Sequence, residues 1–301
     1  LLRTWTHNLG KHPIVLIPGI RTEMQDYECA DATEKLLLAD GREVTYGELA
    51  AKGEKFEVLV PHGHGGRRKA LAFATWQAIE PLYELELASG FKFRRTARHL
   101  FSKVSPVSHG GFRTNFVPIT QLNPGDKLAV LNALPINPQK LLRKGRWMTP
   151  EMGLLIGALL GDGCITKPDR ATMKCASLTQ RKLYLSAAEK IEQRTSEPLT
   201  QKGIAFLFGR DFKNYRERKR RAPLLWALGE LGLVGQTAFT KMLPDWTRLL
   251  PKSVALQILR GLLLTDGHFD KNGGLHFSSR SKSLRDWAAF IAHRFGCPGS
   301  S

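Results

Sequence analysis

Apolar positions recur on two different periods along this chain. Upstream of about residue 130 they fall in short runs bounded by turn formers. Such runs are Lys35 to Ala39 before Asp40-Gly41-Arg42, Phe56 to Val60, Ala70 to Thr75, Leu82 to Ala88 before Ser89-Gly90, and Lys127 to Leu131 after Asn123-Pro124-Gly125-Asp126. Short segments punctuated this way predict strands, and their number predicts an all-β domain. Residues 1 to 28 add one strand-like run, Ile14 to Ile17, and the stretch from Asn137 to Trp147 reads as a linker.

Beyond the linker the period lengthens. Thr149-Pro150-Glu151 opens a helix, with Thr as N-cap and Pro at the first helical position. Two matched apolar segments then stand out. One runs from Gly153 through Gly157 and Gly161 to Asp162-Gly163, the other from Gln257 through Gly261 and Thr265 to Asp266-Gly267. Small residues four apart line one helix face and allow two backbones to approach closely. Each terminal glycine is expected in the left-handed conformation that closes helices. The first copy is followed by strand-like Cys164 to Lys167 and Thr172 to Thr179 and a helix from Lys182 to Arg194. The second is followed by His268 to Asp270, Leu275 to Ser279 and a helix from Lys282 to Phe295. The matching order predicts a duplicated unit whose second copy lacks its last strands and final helix.

Charge narrows the class of partner. A net charge of +18 and a pI near 10.0 favour a polyanion, with DNA or RNA first. An apolar fraction of 42% is that of a globular chain. A membrane role finds no segment to carry it, because the longest apolar run, Met152 to Gly161, is too short to span a bilayer. The N-terminus lacks a signal-peptide layout, and a start at Leu1 reads as an internal fragment of a longer frame. Four cysteines without CxxC spacing argue against zinc and against a disulfide framework, so a reducing, cytoplasmic setting is expected.

An aspartate at a helix C-terminus adds negative charge where the last carbonyls are already negative. If the two helices pack through their small faces, Asp162 and Asp266 converge, and a hard divalent cation is the natural partner. An isolated Asp-Gly would be only a turn, so the weight rests on the duplication.

These two segments resemble the paired signature helices of LAGLIDADG homing endonucleases, with Leu155 to Gly163 and Leu259 to Gly267 matching the motif. The resemblance implies αββαββα repeats meeting at those helices, over residues 149–301, the first repeat 149–240 and a partial second 241–301. It implies Asp162 and Asp266 as catalytic metal ligands, Mg²⁺ as cofactor, and a double-stranded DNA target. Lys241-Met-Leu-Pro244 resembles a Lys-x-x-Pro block of the same enzymes and makes Lys241 the candidate active-site lysine. DNA grip is expected from Lys174, Gln180, Arg181 and Arg280 beside the strands, and from the cluster Arg216, Arg218, Lys219, Arg220 and Arg221.

The β-rich region carries a second resemblance. Cys29, Leu36 to Val44, Tyr83 to Gly90, Thr96-Ala97-Arg98-His99 and Pro124 to Val130 together resemble the N-terminal part of an intein, the Hint-type splicing domain. The implied architecture is multidomain α+β: 1–28 from a host protein (extein) in cis, 29–136 splicing domain, 137–148 linker, 149–301 endonuclease. By that resemblance Cys29 attacks the carbonyl before it, while Thr96 and His99 assist. Leu100 stands where the family has proline after the histidine, and residues 296–301 supply no His-Asn ending. The expectation is therefore an N-terminal acyl shift without full splicing, in a monomer. Two other readings remain: a non-cutting DNA-binding protein of the same fold, and a Hedgehog-like self-processing domain. His62-Gly63-His64 reads as a flexible turn rather than a metal site.

Overall fold

The computed structural model describes residues 2–4, 8–12, 14–17, 28–62, 66–76, 80–87, 92–108, 111–129, 145, 147–175, 177–193, 195–196, 203–207, 222–271 and 274–297. Contacts divide the chain into two units, residues 1–136 with 298–301, and residues 137–297. The described residues form a mixed α/β structure of six helices and several small sheets.

The first unit is mostly strand. Its largest sheet runs in the order Leu2–Thr4, Glu80–Leu87, Lys92–Thr96, Glu28–Asp31, Ile14–Ile17, Thr75–Trp76, with Asn8–His12 also paired to Glu80–Leu87. Two of these strands, Leu2–Thr4 and Asn8–His12, lie where only Ile14 to Ile17 was expected. Leu100–Pro106 lies between Phe112–Pro118 and Lys127–Leu128 in a second sheet, and two hairpins complete the unit.

The all-β expectation is corrected by a helix, α1 (Tyr46–Lys52). Seven residues are too few for a 3.6-residue period to stand out, and the start signal lies in its capping box. Glu48 N–H donates to Thr45 Oγ1 at 3.2 Å while Thr45 N–H donates to the Glu48 carboxylate at 3.1 Å. Gly53, at φ 62°, closes the helix, and Tyr46 and Leu49 anchor it among Ala30, Leu38 and Val58.

The second unit begins with α2 (Pro150–Asp162), capped by Thr149 as its sequence suggested: Met152 N–H donates to Thr149 Oγ1 at 3.2 Å. Strands Gly163–Lys167 and Arg170–Lys174 follow, then α3 (Leu178–Lys190), strands Thr195–Ser196 and Gly203–Leu207, and α4 (Pro223–Glu230). The four strands form one antiparallel sheet, with Gly203–Leu207 beside Arg170–Lys174. The second strand is shorter than the expected Thr172 to Thr179, and α3 starts before Lys182. The cause is Ser177, whose hydroxyl accepts from Thr179 N–H at 3.2 Å and so stops the strand and opens the helix. Gln193, 4% exposed, joins α4 to the sheet: its amide donates to Leu207 O and accepts from Leu224 N–H.

The second copy comprises α5 (Lys252–Asp266), the hairpin Gly267–Phe269 with Leu275–Phe277, and α6 (Lys282–Arg294). Its hairpin starts in the register of the first copy, Gly267 opposite Phe277 as Gly163 is opposite Met173, but only the first hairpin then shifts register, between Cys164 and Lys167. Ser281 caps α6 as Ser177 caps α3.

At the centre, α2 is buried from Met152 through Leu160 and crosses α5 at backbone contact. A β-carbon on Gly157 would lie 2.0 Å from Ile258 O, one on Gly261 2.4 Å from Leu154 O, and one on Gly161 1.9 Å from Thr265 Oγ1. The small residues are thus demanded by the close approach. The closing glycines differ from expectation. Gly163 (φ −90°, ψ 158°) and Gly267 (φ −94°, ψ 149°) are extended, not left-handed. Helix passes into strand with no intervening turn, and a β-carbon there would strike the preceding coil, 2.3 Å from Leu159 O or 2.4 Å from Leu263 O.

Candidate active site

Because α2 and α5 run side by side and stop in register, their C-terminal carbonyls and their aspartates share one end of the pair. Asp162 is exposed and Asp266 half-buried. Burial, helped by the negative charge of Asp162, raises the Asp266 pKa above the usual carboxylate value, and Lys241 only partly offsets this.

Lys241 enters from the segment between α4 and α5 and lays its ammonium on the end of α2. Nζ donates to Leu160 O at 2.6 Å and Gly161 O at 2.9 Å, with Gly163 O at 3.3 Å and Leu159 O at 3.5 Å. A cation on the terminal carbonyls answers the helix dipole. Desolvation lowers the Lys241 pKa, while Asp266 and Asp162 oppose that shift. The α5 end is treated differently: Gln180 Nε2 donates to Leu264 O at 2.7 Å, so a neutral amide stands there in place of an ammonium.

The surroundings are more enclosed than sequence alone suggested. Cys175 is buried and its thiol pKa raised by desolvation, with Arg181 and Asp162 both within electrostatic reach. Tyr184, 1% exposed, has its pKa pushed up to about 12 by desolvation, then by Cys175 and Asp162, against Arg260. These three residues, Cys175, Tyr184 and Arg260, were missed. Only Arg260 left a trace, as the lone cation inside an apolar signature segment.

Asp162, Asp266 and Lys241 are therefore brought together, Arg181 lies within electrostatic reach of Cys175, and Gln180 reaches the backbone two residues before Asp266. Lys174 is exposed at the end of its strand, and Arg280 is exposed with its guanidinium 5.3 Å from the Phe239 ring centroid. Arg216, Arg218, Lys219, Arg220 and Arg221 lie outside the described residues, as does His64.

A divalent cation fits the donor set on its chemistry. Asp266, whose ionisation is opposed by burial and by the neighbouring Asp162 charge, is relieved by a shared positive charge. Among the described residues no group of three or more His, Cys, Asp and Glu side chains converges, so the protein's own share would be the two aspartates. That is the pattern suited to Mg²⁺, which keeps water and phosphate oxygens in its remaining positions.

In the first unit, Cys29 lies in a strand with Leu16 opposite it on one side. On the other side Arg95 faces Ala30, so the antiparallel register carries Thr96 alongside Cys29. Thr96 is 1% exposed and His99 8% exposed, and His99 N–H donates to Thr96 O at 3.1 Å. Among the described residues neither Thr96 Oγ1 nor His99 Nδ1 has a hydrogen-bond partner. Desolvation and the nearby Arg95 lower the His99 pKa to about 3, so the ring is neutral at physiological pH.

The model of one protein family, described as LAGLIDADG-like domain, matches residues 253–300, the span of α5, its hairpin and α6. No curated protein matches the chain. The family match supports a homing-endonuclease or DNA-binding function.

Proposed function

We propose that the second unit is a metal-dependent endonuclease that hydrolyses double-stranded DNA at the joined ends of α2 and α5. The observation that carries this reading is the convergence of Asp162 and Asp266, on two helices packed backbone to backbone, with the Lys241 ammonium on the end of α2 within electrostatic reach of both. Asp162 and Asp266 would hold Mg²⁺, which when bound supplies Lewis-acid stabilisation of the leaving oxygen and a more acidic water. The residues contribute position and charge. The seam fixes the separation of the two carboxylates, since neither helix can shift without a backbone clash. Lys241 holds the last turn of α2 and keeps a positive charge near the scissile phosphate. Arg181, Lys174 and Arg280 are assigned to phosphate contact.

The test is cleavage of a randomised duplex library with Mg²⁺, read by sequencing the new ends. Asp162→Asn or Asp266→Asn should each reduce cutting by at least about a hundredfold while leaving DNA binding within a few fold. Equal cutting by the double variant would refute the metal assignment. A non-cutting DNA-binding protein is disfavoured by the presence of both aspartates.

For the first unit the proposed role is self-processing of the intein type, with residues 1–28 as the host flank and 29–136 as the splicing domain. Two buried, unpartnered polar atoms beside the Cys29 strand support it. In the acyl shift the Cys29 sulfur bonds to the Glu28 carbonyl carbon, the carbon–nitrogen bond breaks, and the freed nitrogen gains a proton. Thr96 Oγ1 is assigned to the oxyanion and the neutral His99 ring to the nitrogen. Excess dithiothreitol should release residues 1–28 as a fragment seen by mass spectrometry, and Cys29→Ala should not release it.

A further inference from the structure

We infer that the hairpin of the second copy carries a site for a divalent transition metal such as Zn²⁺ or Cu²⁺, with the imidazoles of His268 and His276 as its protein ligands. The inference does not rest on the nuclease reading. His268 and His276 are direct cross-strand partners in the ladder of Gly267–Phe269 with Leu275–Phe277. Side chains opposite one another in an antiparallel pair share a face of the sheet. Here the two rings stack, with centroids 5.1 Å apart and planes 16° from parallel. Both residues are exposed, so a hydrated ion can reach them.

Asp270 prepares one of the rings. Its carboxylate lies 2.9 Å from His276 Nε2. That carboxylate is fixed in turn, because Gly274 N–H donates to Asp270 Oδ1 at 2.7 Å while Asp270 N–H donates to Gly274 O at 2.8 Å. An ionised carboxylate only accepts, so Nε2 carries the proton and the lone pair of the neutral ring is left on Nδ1. A histidine whose second nitrogen is tied to a carboxylate is the usual ligand arrangement around a transition metal. Asp270 is therefore the orienting group and not a third ligand. The ring torsion of histidine is broad, so modest rotations from the stack aim one nitrogen of each ring between the strands. Imidazole nitrogen suits Zn²⁺ and Cu²⁺, whereas Mg²⁺ takes oxygen. Nor does the fold require the pair: at the register-equivalent place in the first hairpin Cys164 faces Thr172, and the ladder forms without imidazoles.

The experiment adds ZnCl₂ alone to the full isotope-labelled chain and follows the histidine ring nitrogens by NMR, with CuCl₂ and electron paramagnetic resonance as a second probe. Zn²⁺ should shift the rings of His268 and His276 together, and Cu²⁺ should show coupling to imidazole nitrogen. In His268→Ala the His276 ring should need at least about tenfold more Zn²⁺ for half its shift, and Asp270→Asn should cost about tenfold. These variants replace exposed side chains, so far-UV circular dichroism should not change. Asp162→Asn/Asp266→Asn should keep both ring shifts. Rings unmoved by saturating Zn²⁺ overturn the inference, as does an unchanged half-shift concentration in His268→Ala. Equal shifts with MgCl₂ overturn the metal class. Shifts that vanish in Asp162→Asn/Asp266→Asn also overturn it, because the ion then sits on the aspartates.

Discussion

Lys241 sits where a helix end and two carboxylates all favour a positive charge, yet burial draws its pKa down. Replacing it with Met removes the cation from the α2 carbonyls and should destabilise the second unit by about 1–3 kcal/mol in chemical denaturation. Asp266 carries the opposite strain. A carboxylate whose pKa is raised on folding stabilises the fold below its ordinary value of 3.8, and that stability is lost as pH rises through the raised value. At neutral pH its charge is a cost, so Asp266→Asn should raise Tm in metal-free buffer. Added Mg²⁺ should raise Tm in the parent far more than in the variant, as differential scanning fluorimetry would record. His99 works the other way. Its pKa falls from 6.5 to about 3, so the stability it confers is complete above 6.5 and drains away as pH falls towards 3. Denaturation between pH 7 and 4 should show that slope, flattened by His99→Gln. The reactive residues Asp162, Asp266 and Lys241 were legible because their spacing or flanking motif marks them. Tyr184 and Cys175 were not, because their setting depends on folding α3 and its approach strand back against the end of α2, which no local pattern records.

Among the elements, the crossing of α2 with α5 is the least tolerant of change. Gly157→Ala puts a methyl group 2.0 Å from the Ile258 carbonyl oxygen, and both backbones must part to admit it. A loss of at least about 2–3 kcal/mol is expected from urea titration. Gly229→Ala in α4 is the control. Nothing lies within 4 Å of its added β-carbon, and it should stabilise by about 0.5–1 kcal/mol. Both signature helices were evident from four-residue spacing of small residues. Their termini were misjudged because Asp-Gly resembles a helix stop with a left-handed glycine. Here glycine is needed for clearance from Leu159 and Leu263, a demand that appears only when helix and strand join directly. Helix α1 escaped notice for the reverse reason: it is short, and its signal is the Thr45 and Glu48 pair, not an apolar stripe.

For the molecule as a whole, net charge is the most transferable quantity. With +18 overall, duplex DNA affinity should fall steeply with salt. Changing Arg216, Arg218, Lys219, Arg220 and Arg221 together to Ser should flatten the log–log salt slope by on the order of 4 if each neutralises a phosphate, as fluorescence anisotropy would measure. The change in texture from short strands to amphipathic helices was plain along the sequence, since it depends on local periodicity alone. The spatial order of the seven-stranded sheet was not, because strands as distant as Leu2–Thr4 and Glu80–Leu87 pair without any signal in the intervening chain. The glycine-lined crossing of α2 and α5 also bears on how the protein withstands proteases. The segment Thr237–Thr240 between the two copies is exposed, so a protease can sever the chain there. The small face of each signature helix packs on the other helix, and the cut ends would have nowhere better to go. A nicked molecule should run as two bands in detergent and as a single particle in native buffer.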